Sequence, residues 1–253
     1  MCNIGVIGGV GPHAGLDLIH KIFTNTQAMK DQDHLNCMLI SCPSIIPDRT
    51  EYLLYGNVEN PAFGMFECAR RLYMSGVRIA VVACNTAHAD RIFTPFLAMV
   101  EDALPHLKII NMLETCVDYV KDSLHIHTLG LLATKGTYQC RVYHEYFRKE
   151  KGFLLIEPDV SSQEKTHEAI YNEQFGIKAH SQNITSQAME YINHEIYSLI
   201  DQGAKAVILG CTELPLAVRN QNFPVPIIDP GLLTARRLIA MIDPKKLIPG
   251  SKR

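Results

Sequence analysis

Short apolar runs alternate along this chain with segments whose apolar residues return every third or fourth position, the pattern of strands followed by helices. Ile4–Gly8 is such a run; it meets a glycine-rich turn, and Leu16, Ile19, Ile22 and Phe23 follow at helical spacing. Residues 36–42 read as a second strand, stopped by Pro43. Asn60-Pro61 supplies an N-cap with proline at the first helical position, and the helix it opens ends at Gly76, a natural C′ glycine. Residues 77–83 then run apolar with no polar face, as in a parallel strand covered on both sides. Strands alternating with helices predict an α/β sheet.

The plan then recurs. Gly130-Leu131-Leu132-Ala133-Thr134-Lys135-Gly136 echoes Gly5-Val6-Ile7-Gly8-Gly9-Val10-Gly11, with the outer glycines six apart in both. Residues 184–202 read as a helix that ends at Gly203 and feeds an apolar strand over 204–210. Laid without gaps, the nine residues from Gly76 to Cys84 match the nine from Gly203 to Cys211. Each has a basic residue second after the glycine (Arg78, Lys205), then an apolar strand, then cysteine. From first-strand glycine to cysteine is 79 residues in one half and 81 in the other. These matched landmarks imply an internal duplication at low identity. The expected architecture is α/β: two similar open parallel-sheet domains related by a pseudo-twofold. One covers residues 1–114 and the other 115–230, with 231–253 packing back on the first. Open parallel sheets bind ligands beyond the carboxyl ends of their strands. Each half places a cysteine there, so the expected active site is the cleft between the halves, a thiol on either side.

Composition narrows the partner. With 253 residues, 47% of them apolar, the chain has ample material for a core, and disorder is excluded. Its 24 basic and 26 acidic residues leave a formal charge of −2 without a Lys/Arg run, which argues against nucleic acid or an anionic membrane. No apolar stretch approaches the ~20 residues of a transmembrane helix. Met1-Cys2-Asn3 leads straight into the first strand, so no signal peptide is expected. The eight cysteines form no C-x-x-C pair, and reduced thiols in a cytoplasmic protein are expected. The expected partner is a small molecule, and any special cysteine is expected to be catalytic rather than bridging.

A thiol titrates near pKa ~8.5 and is lowered at a helix N-terminus, where backbone N–H groups favour the thiolate. Cys84-Asn85-Thr86-Ala87-His88 and Cys211-Thr212-Glu213-Leu214-Pro215 both read as strand-to-helix junctions. Pro215 suits a first helical turn, and Thr86 and Thr212 are placed to cap or to donate to a ligand. One thiolate can take an α-proton from one face of an amino acid while an opposed thiol protonates the other face. The product is the mirror image. Such chemistry requires two similar acids on opposite sides, which duplication supplies, and positioned acid–base groups contribute ~10²–10⁴-fold each. A lone cysteine after a buried strand is ordinarily a small core residue; two at equivalent places point to function. Cys2, Cys37, Cys42, Cys68, Cys116 and Cys140 have no counterpart in the other half and read as structural. Cys84 and His88 have the i,i+4 spacing of two metal ligands, but no further His/Cys pair supports a metal site.

Two cations sit at like depth in the halves. Arg49, in Ile46-Pro47-Asp48-Arg49-Thr50, lies 35 residues before Cys84; Lys178, in Phe175-Gly176-Ile177-Lys178-Ala179, lies 33 before Cys211. They read either as anchors for the two carboxylates of an acidic amino acid or as solvated surface charges. The residues alone weigh these evenly.

Taken together these motifs resemble the aspartate/glutamate racemase family, and within it the aspartate racemases. The similarity runs along nearly the whole chain: Ile7 to Pro12, Ile46 to Thr50, Cys84 to His88, Gly130 to Thr134 with Gly136-Thr137, Gly176 to Ala179, and Leu209 to Pro215. Cys84-Asn85-Thr86 paired with Gly210-Cys211-Thr212 is its most specific part. The resemblance implies two α/β domains with the site between them, no pyridoxal phosphate or other cofactor, no metal, and a homodimer. It casts Cys84 and Cys211 as the two bases, with Asn85, Thr86, Thr134 and Thr212 around the substrate carboxylates. It gives Arg49 and Lys178 the recognition role, with Val10, Gly11, Thr137 and Glu213 in support. Val10 stands where the family commonly has methionine, Ala83 where proline often precedes the first cysteine, and Pro230 where serine or threonine commonly follows Asp229. Glu213 is the acidic variant of a position that is histidine in glutamate racemases proper, which implies aspartate as the substrate.

Other readings use the same residues. Gly9-x-Gly11-x-x-Ala14 after a first strand fits the loose dinucleotide fingerprint, but the second strand ends in Ser41-Cys42-Pro43 with no acidic residue to hold a ribose. A decarboxylase or cis–trans isomerase of a small dicarboxylic acid on the same scaffold is the nearer rival. Retention of both cysteines argues against a one-cysteine decarboxylase and less against an isomerase. A non-catalytic binding protein is the third, because fold does not fix function.

Overall fold

The computed structural model describes residues 4–219 and 221–250. Cys2, and with it the N-terminal residues 1–3 behind the leader reading, lies outside the described residues. The first half runs β1 (Ile4–Gly8), α1 (Pro12–Thr24), β2 (Cys37–Ser41), α2 (Arg49–Tyr55), α3 (Pro61–Met74), β3 (Ile79–Val82), α4 (Asp90–Ala103) and β4 (Lys108–Ile110). Helix α5 (Met112–Tyr119) follows. The second half runs β5 (Thr128–Ala133), α6 (Lys135–Gln139), α7 (Val142–Phe147), β6 (Leu154–Ile156), α8 (Val160–Tyr171), α9 (Ser186–Asp201), β7 (Ala206–Gly210), α10 (Leu214–Val218) and β8 (Ile227–Ile228). Helix α11 (Pro230–Ile242) comes last. The chain divides into two compact units, Met1–Thr115 with Gly231–Arg253, and Cys116–Pro230.

Each unit holds a four-stranded sheet, ordered β2-β1-β3-β4 in one and β6-β5-β7-β8 in the other. Every pairing is parallel. The two orders coincide when β1–β4 are laid on β5–β8, so the duplication read in the sequence is a duplication of topology. All five residues of β1 and of β7 are buried, as strands covered on both faces require.

The glycine landmarks of the repeat are helix endings. Gly76 (φ 88°) follows α3: its N–H reaches Tyr73 O at 3.0 Å, and the next N–H, of Val77, reaches Leu72 O at 3.1 Å. Gly203 (φ 103°) does the same after α9, with Gly203 N–H to Ile200 O and Ala204 N–H to Leu199 O at 2.9 and 3.0 Å. This is a Schellman closure, which needs a left-handed residue and therefore glycine. It also shortens the strands. Val77 and Ala204 spend their N–H groups on the helix, so β3 begins at Ile79 and β7 at Ala206, two residues later than the apolar runs predict.

Each unit has its own core. In the first, Ile4, Val6, Ile22 and Val81 pack with Leu238 and Ile239 of α11, which places that helix in the first unit. In the second, Ile170, Ile192, Ile196 and Leu209 form the centre. Each such side chain contributes ~1.5–3 kcal/mol by leaving water, so truncating Leu238 to alanine costs ~2–5 kcal/mol. Asn60 ties three elements together. Its side chain caps α3 at Ala62 N (3.0 Å), touches Tyr52 Oη of α2 (3.0 Å), and donates to Arg91 O of α4 (3.0 Å). Arg91 O is the carbonyl that Pro95, four residues on, has no N–H to satisfy. Among the described residues no helix is long and apolar enough to cross a membrane.

Candidate active site

In each sheet the chain leaves the central strand (β1 or β5) to one side and returns on the other (β3 or β7). The carboxyl ends of that strand pair are the topological switch point, where open sheets bind ligands. Cys84 comes two residues after β3, and Ala83 N–H continues the ladder to Ile7 O at 3.1 Å. Cys211 directly follows β7, whose last residue Gly210 is paired with Ala133 of β5. Both cysteines are 6% exposed. The two predicted bases therefore occupy one topological position, each within its own unit.

The first unit places Val10 and Gly11 between β1 and α1, Arg49 at the start of α2 after β2, and Asn85 and Thr86 directly after Cys84. Gly9 (φ 78°) admits the close approach of the β2 exit: a Cβ there would meet Cys42 N at 2.7 Å and Pro43 N at 2.8 Å. Gly11 is the N-cap position of α1, and Val10 is buried. Asp48 caps α2 by accepting from Thr50 N–H and Glu51 N–H at 2.8 and 3.0 Å, which sets Arg49 at the first helical position. Arg49 is 5% exposed rather than solvated, with Nη1 donating to Pro47 O at 3.1 Å.

His88 holds the Cys84 loop. Its Nδ1 lies 2.8 Å from Cys84 O, and its Nε2 accepts from Met112 N–H at 3.4 Å, an arrangement that requires the neutral Nδ1–H tautomer. Burial holds its pKa down to about 4, and the ring packs on Phe93 with centroids 4.4 Å apart. Both ring nitrogens face backbone, so the Cys84–His88 metal pair is not formed. Nor does Cys84 sit at an α-helix N-terminus: a 3₁₀ turn, Thr86–His88, intervenes before α4 begins at Asp90. Thr86 is the first residue of that turn, with Asn85 at its N-cap.

Around Cys211 the second unit gathers Thr134, Thr137, Lys178, Thr212 and Glu213. Thr134 caps α6, accepting from Thr137 N–H at 3.4 Å, and the two hydroxyls lie 3.1 Å apart. Lys178 N–H donates to Ile170 O at 3.0 Å, which fastens its loop to the end of α8. Glu213, 3% exposed, is the hub. Its Oε2 accepts from Cys211 Sγ at 3.0 Å and from the Thr212 hydroxyl at 3.2 Å, and its Oε1 lies 3.3 Å from Lys178 Nζ. The same Nζ stands 4.7 Å from the Tyr171 ring centroid. Lys178 is thus neither an open cation nor a surface charge; it is paired with a buried carboxylate.

The expected helix-lowered thiolate is reversed at Cys211. Burial and then the Glu213 carboxylate push its pKa well above the usual thiol value, while Lys178 pulls the other way. Helix α10 has five residues, and the acidic Glu213 occupies its N-cap, so its amide dipoles offer the thiol little. The Thr212 hydroxyl donates to Glu213. The sequence marked Glu213 only as an acidic variant. Its spacing from Cys211 fits a direct contact, but its pairing with Lys178 joins segments 35 residues apart that no local pattern links. A groove of about 340 Å³ lined by Arg141, His144, Phe147 and Phe153 also lies in the second unit, and no candidate residue lines it.

Residues 7–238 match the family model for Asp/Glu/Hydantoin racemase. The chain belongs to that family. Among solved structures, an aspartate racemase of Picrophilus torridus superposes with a TM-score of 0.80 at 28% identity, over 95% of this chain and 94% of that one. The broad specificity amino-acid racemase RacX of Bacillus subtilis (strain 168) is 24% identical over 244 residues, 94% of this chain and 96% of its own. A glutamate racemase of Levilactobacillus brevis is 25% identical over 179 residues, 68% of this chain. That match spans 58% of the length of the L. brevis protein. Within the Asp/Glu/Hydantoin racemase family, then, the chain is similar to proteins named for aspartate, for glutamate and for broad specificity.

Proposed function

We propose that this chain interconverts L- and D-aspartate, with glutamate as a second acidic substrate, by two-base proton transfer between Cys84 and Cys211 without a cofactor. The observation that carries the reading is the recurrence of one topological position, the exit of β3 and of β7, with a cysteine at both. Family membership supports the reaction class.

The chemistry requires the two thiols to address opposite faces of one α-carbon. One sulfur, as thiolate, takes the α-proton; the other, as thiol, returns a proton to the opposite face, and the protonation states are exchanged. Burial and Glu213 favour the protonated form of Cys211, so Cys211 is the acid of the resting form. Charge developing beside the carboxylate needs fixed donors, a role given to Asn85, Thr86, Thr134 and Thr212. Arg49 and Lys178 take the two carboxylates: Arg49 offers a planar fork, Lys178 a single ammonium that substrate shares with Glu213.

A proton NMR time course in D₂O, with L-aspartate, L-glutamate and a panel of neutral amino acids, tests this. The expected result is loss of the α-proton signal from the acidic amino acids with no cofactor added. Absence of exchange from every amino acid would refute the racemase reading, and exchange from alanine at the aspartate rate would refute the dicarboxylate one.

A further inference from the structure

One cluster outside the candidate site joins groups that the proton-transfer chemistry leaves unused: Cys42, Cys68 and Arg71. Cys42 directly follows β2, while Cys68 and Arg71 lie on successive turns of α3, which packs along β2. A close approach brings them together. A Cβ on Gly64 would meet Ile45 O at 2.0 Å, so α3 presses against the turn that Cys42 enters. Both cysteines are free thiols; Cys68 is buried and Cys42 half-buried. Cys68 lies three residues before Arg71 on α3, and the charge on Cys42 acts on its thiol. Arg71 Nη1 reaches the Cys42 sulfur at 3.7 Å, and its Nε is held by Glu67 Oε1 at 2.8 Å. The Glu67 carboxylate fixes the guanidinium in place and partly balances its charge.

Peroxide-reactive cysteines combine partial exposure, a neighbouring cation and a resolving thiol within reach. All three meet at Cys42. We propose that Cys42 and Cys68 form a dithiol that hydrogen peroxide closes to an intramolecular disulfide. The Cys42 sulfur, as thiolate, attacks one peroxide oxygen; the O–O bond breaks, and the departing hydroxide takes a proton to leave as water. Cys42 is then a sulfenic acid. The Cys68 sulfur displaces its hydroxyl, the S–S bond forms, and a second water leaves with the Cys68 proton. Two thiols have lost two electrons, and one peroxide has become two waters. Burial and the charge on Cys42 push the Cys68 thiol up to about 12, which fits a group that stays protonated until its neighbour has reacted. The Cys42 backbone also lies against Gly9, so the bond would form behind the turn that carries Val10 and Gly11.

The test is peptide mapping by mass spectrometry of the full chain after one equivalent of hydrogen peroxide, with free thiols alkylated before digestion. Cleavage after Arg49 separates the two cysteines, so a closed bond leaves their peptides joined. The expected species is monomeric, two hydrogens lighter, joined at Cys42 and Cys68, and restored by dithiothreitol. It should form equally in a Cys84→Ser/Cys211→Ser double variant, which separates it from any failure of the racemase reading. Cys68→Ser should stop at the Cys42 sulfenic acid, trapped by dimedone, and Arg71→Leu should slow closure. Sulfinic acid at Cys42 with Cys68 untouched would overturn the proposal. So would joining only between chains, or oxidation of Cys84 or Cys211 while this pair stays reduced.

Discussion

The Cys211 thiol points at the Glu213 carboxylate, with its sulfur 3.0 Å from Oε2, while Lys178 Nζ holds the other oxygen at 3.3 Å. A carboxylate against a buried thiol penalises the thiolate, and the nearby ammonium offsets part of that penalty. Glu213→Gln keeps the shape and removes the negative charge, which also leaves Lys178 acting on Cys211 alone. Both changes lower the Cys211 pKa. Iodoacetamide labelling of Cys211, followed by peptide mass across pH, should show its midpoint displaced to lower pH in the variant. An unmoved or higher midpoint would mean that Glu213 carries no charge beside the thiol.

The Lys178–Glu213 pair should also be visible in stability. Lys178→Met leaves Glu213, 3% exposed, without this cation, and stranding a buried charged group costs roughly 2 kcal/mol or more. Adding Glu213→Gln removes the stranded charge, so the double variant should recover at least ~1 kcal/mol relative to additivity. Urea unfolding of the parent, both single variants and the double variant measures this directly. Strict additivity would show that the two side chains do not interact in solution.

The parts of this molecule that can be read from the sequence are those in which a backbone requirement selects the residue type. Gly76 and Gly203 close helices with positive φ, Asn60-Pro61 opens one, and the buried runs of β1 and β7 fill strands covered on both faces; together they disclose the duplication. Strand starts are less readable, because the Schellman bonds of Val77 and Ala204 take residues that look like strand. Contacts made by side chains from distant segments are not readable at all. Lys178 meets Glu213, Arg71 meets the Cys42 sulfur, and His88 receives Met112 N–H only after segments from different strands are packed together. For the same reason a dipole argument from local sequence gave Cys211 the wrong direction: it counted the helix and could not count the burial.

The two-base reading makes a direct kinetic prediction. Cys84→Ala and Cys211→Ala should each reduce racemisation by at least ~10²-fold, the scale of losing a positioned acid or base, with circular dichroism and melting unchanged. Arg49→Leu should cost at least ~2 kcal/mol in kcat/KM for aspartate, the scale of a charge-assisted hydrogen bond. Near-parental turnover in either cysteine variant would remove that residue from the proton path, and parental aspartate kinetics in the arginine variant would remove Arg49 from recognition.

His88 gives the fold a pH dependence of definite sign. Its pKa is held down to about 4 by burial, against ~6.5 for a free histidine. Above pH ~6.5 the imidazole is neutral in folded and unfolded chains alike, and its full contribution is present. As pH falls below that value the unfolded chain binds the proton first, so stability drains away until the folded pKa near 4 is passed. The loss amounts to about 3 kcal/mol, from ~1.4 kcal/mol per unit of displacement. Carboxylates titrate in the same window, so the comparison must be with a variant that lacks only this group. His88→Asn keeps an N–H near Nδ1 to meet Cys84 O and cannot titrate; it gives up the contact with Phe93 and leaves Met112 N–H unpaired. At neutral pH the variant should be less stable than the parent by roughly 1–3 kcal/mol, the cost of a buried donor without a partner. Between pH 6.5 and 4 its urea-unfolding free energy should fall less steeply than the parent's, so that the gap between the two narrows or closes. Parallel curves across that interval would mean that His88 is not the neutral, backbone-bound group that fixes the Cys84 loop.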